Sequence, residues 1–575
     1  MKPSKNSIPI APSLPSLMPA TSNGKKEILF KKRLLQISLL SIAVAILISI
    51  IAKGLVLLIN LVTNICFYGT FNFTFSSPAD NQLGILVIVL PAIGGVVVGL
   101  MALFGSKAIR GHGIPEAMEQ ILINQSKIKP SIAFLKPISS AIAIGSGGPF
   151  GAEGPIIATG GALGSTIGQL FKITSNERKI ILAAGATAGM SAIFGTPIAA
   201  IFLAIELLLF EFSPKAILPV ALACITGAAG HQLLFETGPV FPMPDLESPT
   251  NLALAIYSGM GILIGFISLG LTKVVYWIED TFEKLPIHWV WWPAIGGLAV
   301  GIIGYFAPHT LGVGYENIIS MLSGKATLAL MLSLCFFKFL SWAIALGSGT
   351  SGGTLAPLLT IGGATGALFG TCVLMFFPQS EISIPMAALI GMSSMFAGAS
   401  RAYLTSITFA LEATMQSHAL LPLLGACTAS YLISFFFMEN TIMTEKIARR
   451  GIYTPDAYEP DILRRITVSQ VLGKINTIQE QIINELLKRE FPILKPNDPL
   501  SKAVELMASS GEEHLPVVLN NDSNEIIGLL TYKDILHAYK LYHKENQEVG
   551  INLSLKRQRL KMMIRSRKLM DKTKS

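Results

Sequence analysis

The stretch GSGGPFGAEGPIIATGGALGS, residues 145–165, holds eight glycines, two prolines and a single charge, Glu153. It sits in a chain that is 51% hydrophobic and only 14% charged, with a mean hydropathy of +0.58. Soluble domains carry roughly 25% charged residues, and a bilayer-spanning helix needs about 20 mostly apolar ones. Windows of that kind recur at 34–62, 83–103, 252–271, 326–346 and 419–437. The chain therefore reads as a polytopic integral membrane protein, with one carboxylate at membrane depth among helix breakers.

Outward from this stretch, the first apolar window starts too late and runs too long for an ordinary cleaved signal peptide. The basic segments GKKEILFKKR (24–33) and LKRQRLKMMIRSRKLMDKTKS (555–575) belong on the cytoplasmic side. Both termini inside implies an even number of crossings. The net charge of +9 is concentrated in such segments and reads as topology and anionic-lipid contact, not nucleic-acid binding. Cys66, Cys224, Cys335, Cys372 and Cys427 lie scattered, without metal-ligand spacing, so no metal site is expected. Composition divides the chain into a disordered basic arm (1–33), a membrane domain (34–450), a linker (451–490), a small soluble domain (491–545) and a basic tail (546–575).

The membrane domain contains an internal repeat. GSGGPFGAEGPIIATGGALGSTIG (145–168) aligns without a gap over GSGTSGGTLAPLLTIGGATGALFG (347–370), an offset of 202 that also brings Gly189-Met190-Ser191 over Gly391-Met392-Ser393. A four-residue slip then places Glu206 over Glu412. The repeat halves run over about 85–240 and 290–437. Repeated halves whose helices are broken by Gly and Pro at matching positions point to a transport site at mid-membrane.

Irregular backbone survives at membrane depth only inside protein or along a cavity, because hydrocarbon satisfies no N–H or C=O. Pro155 and Pro357 each fit the first turn of a new helix, where an N–H has no intrahelical acceptor. The free N–H groups and the helix dipole then favour an anion without any lysine or arginine. RGHGIPEAME (110–119) is a third such turn, with Gly111, Gly113 and Pro115. Close packing through small residues is the competing reading for Gly160, Gly161 and Gly164. An ionised Glu153 at a helix N-terminus can occupy a place meant for an anion; protonated, it loses that attraction and can swing away, which makes it a gate and a proton acceptor. A structural N-terminal cap is the alternative.

The motifs GHGIPE (111–116), GAEGP (151–155) and GTLAP (353–357), in this order, resemble the three signature turns of the CLC chloride channels and proton-coupled chloride exchangers. The resemblance covers residues 35–455 or so. It implies an all-α polytopic membrane fold with an inverted repeat and broken helices, assembled as a homodimer with an anion pathway in each subunit. It places the gating glutamate at Glu153. The anion-binding set it implies is Gly111, His112, Gly113, Ile114 and Pro115, then Gly151, Glu153, Gly154 and Pro155, then Gly353, Thr354, Leu355 and Ala356, with Met443 in the last segment.

Four departures from the family pattern stand out. The serine of the first turn is His112, which has a ring N–H to offer and a charge that changes near physiological pH; a neutral ring bonded to nearby backbone is the other reading. The basic residue before the gating glutamate is Ala152. The central tyrosine falls on Met443. The glutamate that relays protons from the cytoplasm falls on Leu207, after Glu206, and a leucine relays no proton. Glu211 is a possible substitute, but five residues on it lies off the helical face of Glu206. The matched positions of Glu206 and Glu412 suggest bonding to helix ends. The last departure favours passive chloride conduction, with proton-coupled exchange as the alternative, while His112 and Met443 keep transport of another anion open; the expected location is the plasma membrane of a bacterium.

Residues 491–539 read β-α-β-β-α, ending GLLTYKDIL, and resemble a CBS domain; RITVSQVLGKI (465–475) looks like the remnant of a first copy. Thr531 and Asp534 match the positions at which some CBS pairs hold an adenine nucleotide's ribose, against a reading as dimer scaffolding with no cofactor. A membrane enzyme finds no support: H-E-x-x-H is absent, and Asp80, Asp245 and Asp280 avoid the broken helices.

Overall fold

The computed structural model describes residues 23–547 apart from 172, 236, 453, 456–462, 464–465, 473–491 and 521–522. Among them, eight helices are long and apolar enough to cross a membrane, from Lys31–Tyr68 to Ser417–Phe437. The first helix begins at Asn23, so the stretch 23–33, expected to be irregular, is helical. No proline or glycine follows Gly24 before the apolar run, and Lys, Glu, Leu and Arg are all good helix formers. Residues 1–22 of the expected arm and most of the basic tail lie outside the described residues.

Two helix hairpins fill the centre. Glu153–Leu170 packs on Ser175–Phe194, and Leu355–Phe376 packs on Ile384–Ser400. In the hydropathic window of Leu355–Phe376, 61% of residues are buried, against 33–39% in the other spans, so this helix is the most enclosed by protein of the eight. That explains its small residues: Gly362 and Gly366 let its backbone meet Gly391 and Ala387 directly.

The two halves are related by a two-fold axis that reverses helix direction. Gly95 meets the carbonyl of Pro293 while Gly297 meets that of Pro91, and Gly99 and Gly301 meet Val290 and Ile88. Such reciprocal contacts arise only if the helices Leu90–Phe104 and Trp292–Phe306 run antiparallel. The paired glutamates give the same answer. Glu206, near the end of its helix, accepts from the first N–H groups of Tyr403–Thr414: Leu404 at 2.8 Å, Thr405 at 3.0 Å, and the Thr405 hydroxyl at 2.6 Å. Glu412, near the end of that helix, accepts from Ile198 at 2.9 Å and Ala199 at 2.8 Å, the first N–H groups of Pro197–Leu203. Each half thus caps a helix of the other, and the repeat is inverted.

After the membrane domain, the short helix Glu445–Ala448 leads into a small α/β unit with its own core, which includes Leu494, Leu500, Leu515, Val517, Leu530 and Ile535. Two antiparallel strands, His514–Asn520 and Ser523–Thr531, are flanked by the helices Leu500–Ser510 and Tyr532–Gln547. Leu494 makes an isolated bridge to Val517 where the first strand is expected. Of the first-copy remnant, Val468 is buried in this core, while 473–475 lie outside the described residues.

Removing a buried acceptor strands its donors and costs about 1–3 kcal/mol. Glu206→Ala should therefore lower the thermal unfolding midpoint of the detergent-solubilised protein clearly. Glu412→Ala should lower it less, because Glu412 is only half-buried.

Candidate functional site

Three of the chain's turns are stitched together at the centre. The Gly111 N–H donates to the Thr350 carbonyl at 3.2 Å and the Gly352 N–H returns a bond to Gly111 at 3.4 Å. Gly151 and Gly353 exchange both of their backbone bonds, at 3.3 and 3.0 Å. The turns of GHGIP, GAEGP and GTLAP therefore form one cluster, as sequence suggested, although they lie up to about 240 residues apart in the chain.

The cluster has no room for side chains at its seams. Gly113 precedes the helix Ile114–Ile123 with φ +97°, and a Cβ there would fall on the carbonyl of Gly154. A Cβ on Gly154 would strike the His112 carbonyl and the Cα of Gly353. Only glycine permits both the backbone angle and the approach. Ile114 and Pro115 open the first helix, Pro155 lies in the first turn of Glu153–Leu170, and Leu355 and Ala356 open Leu355–Phe376.

Glu153 is fully buried, and its side chain reaches across to the other half of the protein. Its Oε1 accepts from the Ala356 N–H at 2.7 Å, and its Oε2 lies 3.4 Å from the hydroxyl of Tyr315. The carboxylate thus covers the N-terminus of the Leu355–Phe376 helix, where dipole and free N–H groups favour negative charge. It is a cap, but on a helix of the opposite repeat.

Two buried polar atoms in the cluster have no hydrogen-bond partner among the described residues: Nδ1 of His112 and the hydroxyl of Thr354. Buried polar groups are ordinarily satisfied, so these two atoms beside the interlocked turns have hydrogen-bonding capacity to offer a polar ligand or water. The backbone-bonded reading of His112 is not what Nδ1 shows. Met443 is buried in the core beside Ile442, whose carbonyl accepts from Tyr276.

The sequence reading missed two features. Lys136 is buried and donates to the carbonyls of Ile109 at 2.8 Å and Gly111 at 2.7 Å, putting a cation behind the first turn. Lys338 does the same for Thr310 and Gly312, at 3.0 and 2.8 Å. The offset of 202 between the two lysines was the available signal. For Tyr315 the signal was the G-x-G of 312–314 echoing that of 111–113, although nothing local pointed to its partner Glu153.

A cavity of about 820 Å³ is lined by residues including Glu206, Leu207, Phe210, Arg401 and Arg449. Both oxygens of Glu206 are committed to helix capping. Glu211 lies away from Glu206, but because the helix has ended before it rather than because of its place on a helical face. The helix loosens into a π turn over Ala204–Leu209 and ends at Phe210, with φ +51°. Glu211 instead pairs with buried Lys179 at 3.1 Å. In the soluble unit, Thr531 and Asp534 bind each other, with Asp534 accepting from the Thr531 N–H at 2.9 Å and hydroxyl at 2.7 Å. That pair caps the helix Tyr532–Gln547.

Comparison with known proteins gives a consistent picture. A family model described as voltage gated chloride channel matches residues 93–435, and a CBS domain model matches 483–541. Chloride channel protein CLC-f of Arabidopsis thaliana is 25% identical over 496 residues, covering 78% of this chain but only 62% of the plant protein. The H(+)/Cl(-) exchange transporter ClcA of Yersinia pestis is 30% identical over 356 residues, covering 59% of this chain and 72% of the relative. In fold, the chain is similar to a slow cyanobacterial Cl-/H+ antiporter, with TM-score 0.63 and 21% identity over 72% of this chain and 98% of the antiporter.

Adding one methyl group to a packed seam costs about 1–3 kcal/mol. Gly154→Ala, whose Cβ would strike the His112 carbonyl and the Gly353 Cα, should therefore lower the thermal unfolding midpoint of the detergent-solubilised protein; an unchanged midpoint would show that the seam has room for a side chain.

Proposed function

The chain belongs to the voltage-gated chloride channel (CLC) family, and from that premise we propose that it conducts chloride passively, with Glu153 as the gate and the three interlocked turns as the anion site. The observation that carries this reading is the Glu153 carboxylate on the Ala356 N–H at 2.7 Å. A negative group already occupies the helix end that would receive an anion, so conduction requires it to leave. When it does, the backbone N–H groups of Leu355 and Ala356, the Thr354 hydroxyl and the His112 ring are donors for the incoming ion. The remaining members of the expected set, from Gly111 to Pro115 and from Gly151 to Pro155, shape the turns, and Met443 occupies the place of a hydroxyl donor. Lys136 adds positive potential without entering the path.

Passive conduction is favoured at the inner side of the site. Leu207 lines the inner cavity where the family's exchangers place a proton-relaying carboxylate. Glu206 is held by three hydrogen bonds and Glu211 by an ion pair, so neither carboxylate is a free proton carrier. The relative named as a H(+)/Cl(-) exchange transporter favours the alternative, proton-coupled exchange. Changes at His112 and Met443 leave transport of another small anion as a variant of the same mechanism.

The protein is a multi-pass membrane protein. We place both termini in the cytoplasm of a bacterium and the working unit as a homodimer in the lipid bilayer of the plasma membrane. The CBS-like unit serves as scaffolding in this reading. Thr531 and Asp534 already serve each other as a helix cap through Asp534 Oδ2, which supports the scaffolding role.

The test uses purified protein in chloride-loaded liposomes, with valinomycin clamping the voltage and chloride efflux and external pH recorded together. Chloride efflux without linked proton movement is the expected result. Proton movement driven uphill by the chloride gradient, and lost in Glu153→Ala, would replace the passive reading with exchange. Absence of chloride flux from folded protein would overturn both and direct the assay to other anions.

A further inference from the structure

The inverted repeat implies a fourth turn. Lys136 holds the carbonyls of Ile109 and Gly111 just before GHGI (111–114), and Lys338 holds those of Thr310 and Gly312 just before GVGY (312–315). All four glycines of these two turns have positive φ: Gly111 +96°, Gly113 +97°, Gly312 +63° and Gly314 +78°. Each turn opens a short helix, Ile114–Ile123 in the first half and Tyr315–Leu322 in the second. Tyr315 is therefore the structural counterpart of Ile114. The two-fold relation carries it into the same central cluster, and the Gly312 N–H is tied to the Gly147 carbonyl at 3.0 Å, a few residues before GAEGP.

Where the first half has an isoleucine, the second has a phenol, and its hydroxyl faces the free oxygen of Glu153 at 3.4 Å. Its ring is set by three buried phenylalanines. Phe194 and Phe241 pack edge-on against it, with centroids 5.9 and 5.8 Å away, and Phe409 packs edge-on against Phe194 at 5.1 Å. Phe241 reaches this cluster from the connection between Pro214–Leu234 and Asn251–Glu283, anchored by its N–H on the Ala413 carbonyl at 3.0 Å. Two rings packed edge-on against it, with Phe409 bracing both, leave the phenol little freedom, so the hydroxyl position is a property of the fold rather than of a flexible side chain.

We propose that Tyr315 is a positioning residue of the gate: its hydroxyl donates to Glu153 Oε2 and holds the carboxylate on the Ala356 N–H, so that the closed state is a two-point clamp. Ala356 binds one oxygen and Tyr315 the other. The clamp favours the closed state over any position in which Glu153 moves beyond reach of the Tyr315 hydroxyl. The separation of 3.4 Å makes this the weaker of the two bonds, suited to a latch that must release. The inference rests on the reading of Glu153 as the gate, and the experiment separates the two.

Chloride efflux from liposomes is measured for the full-length protein and for Tyr315→Phe, Glu153→Ala and the double variant. Tyr315→Phe keeps the ring and its packing and removes only the hydroxyl. Losing a net hydrogen bond is worth about threefold to tenfold in an equilibrium. Tyr315→Phe should therefore speed efflux by about that factor. Glu153→Ala should speed it further, and the double variant should match Glu153→Ala alone. A ring with a merely structural role would alter the double variant as much as the parent. Fast efflux in Glu153→Ala with Tyr315→Phe at the parent rate would overturn the latch and leave the gate standing. An additive effect in the double variant would also overturn it. Glu153→Ala at the parent rate would overturn the gate and the latch together.

Discussion

A helix that stops inside hydrocarbon leaves N–H groups with nothing to bond to, and each costs several kcal/mol unless the protein supplies a partner. This protein stops several helices near its centre, and much of its architecture answers that constraint. The turns bond to one another, through Gly111 with Thr350 and Gly352, and Gly151 with Gly353. Glu206 and Glu412 satisfy the helix starts of the opposite half, and Glu153 satisfies the one at Ala356. These are three carboxylates doing the same electrostatic job in different surroundings. Glu206 is held by three donors and serves structure, whereas Glu153, in the proposed mechanism, gives up its place to an anion.

The inverted repeat makes this economical in design. One two-fold axis brings helix N-termini from both halves to the same point, so their partial positive charges add without a lysine entering the path. The buried ammonium groups of Lys136 and Lys338 stay behind the first and fourth turns, bonded to carbonyls, and brace the backbone. Function then lies in the places where the symmetry is broken. Glu153 faces Leu355 in the repeat alignment, and Tyr315 answers Ile114. Two equivalent positions have become a carboxylate and the phenol that meets it.

Much of this was legible beforehand. The membrane class followed from composition, and the repeat followed from a shared offset across two blocks of sequence. The broken helices followed from Gly-Pro spacing, because these residues act locally on the backbone. The helical role of Glu206 and Glu412 was legible for the same reason, through their matched positions. Less legible were features that depend on where a helix ends. The spacing argument for Glu211 assumed a continuous helix, but the π turn and the left-handed Phe210 redirect the chain and hand Glu211 to Lys179. The start of the first helix at Asn23 was missed because charge was read as disorder, although lysine and glutamate are compatible with helix.

The sequence by itself determined the solvent the protein lives in, its two halves, its points of breakage and the one carboxylate placed among them. Each of these depends on residue type and local spacing, which a linear string records. Only the tertiary structure decided which helix end Glu153 caps, which polar atoms are left without partners, and that the Tyr315 hydroxyl meets Glu153. Those facts depend on contacts between residues far apart in the chain, created when an inverted repeat folds on its axis, and no local pattern around residue 153 or residue 315 encodes the distance between them.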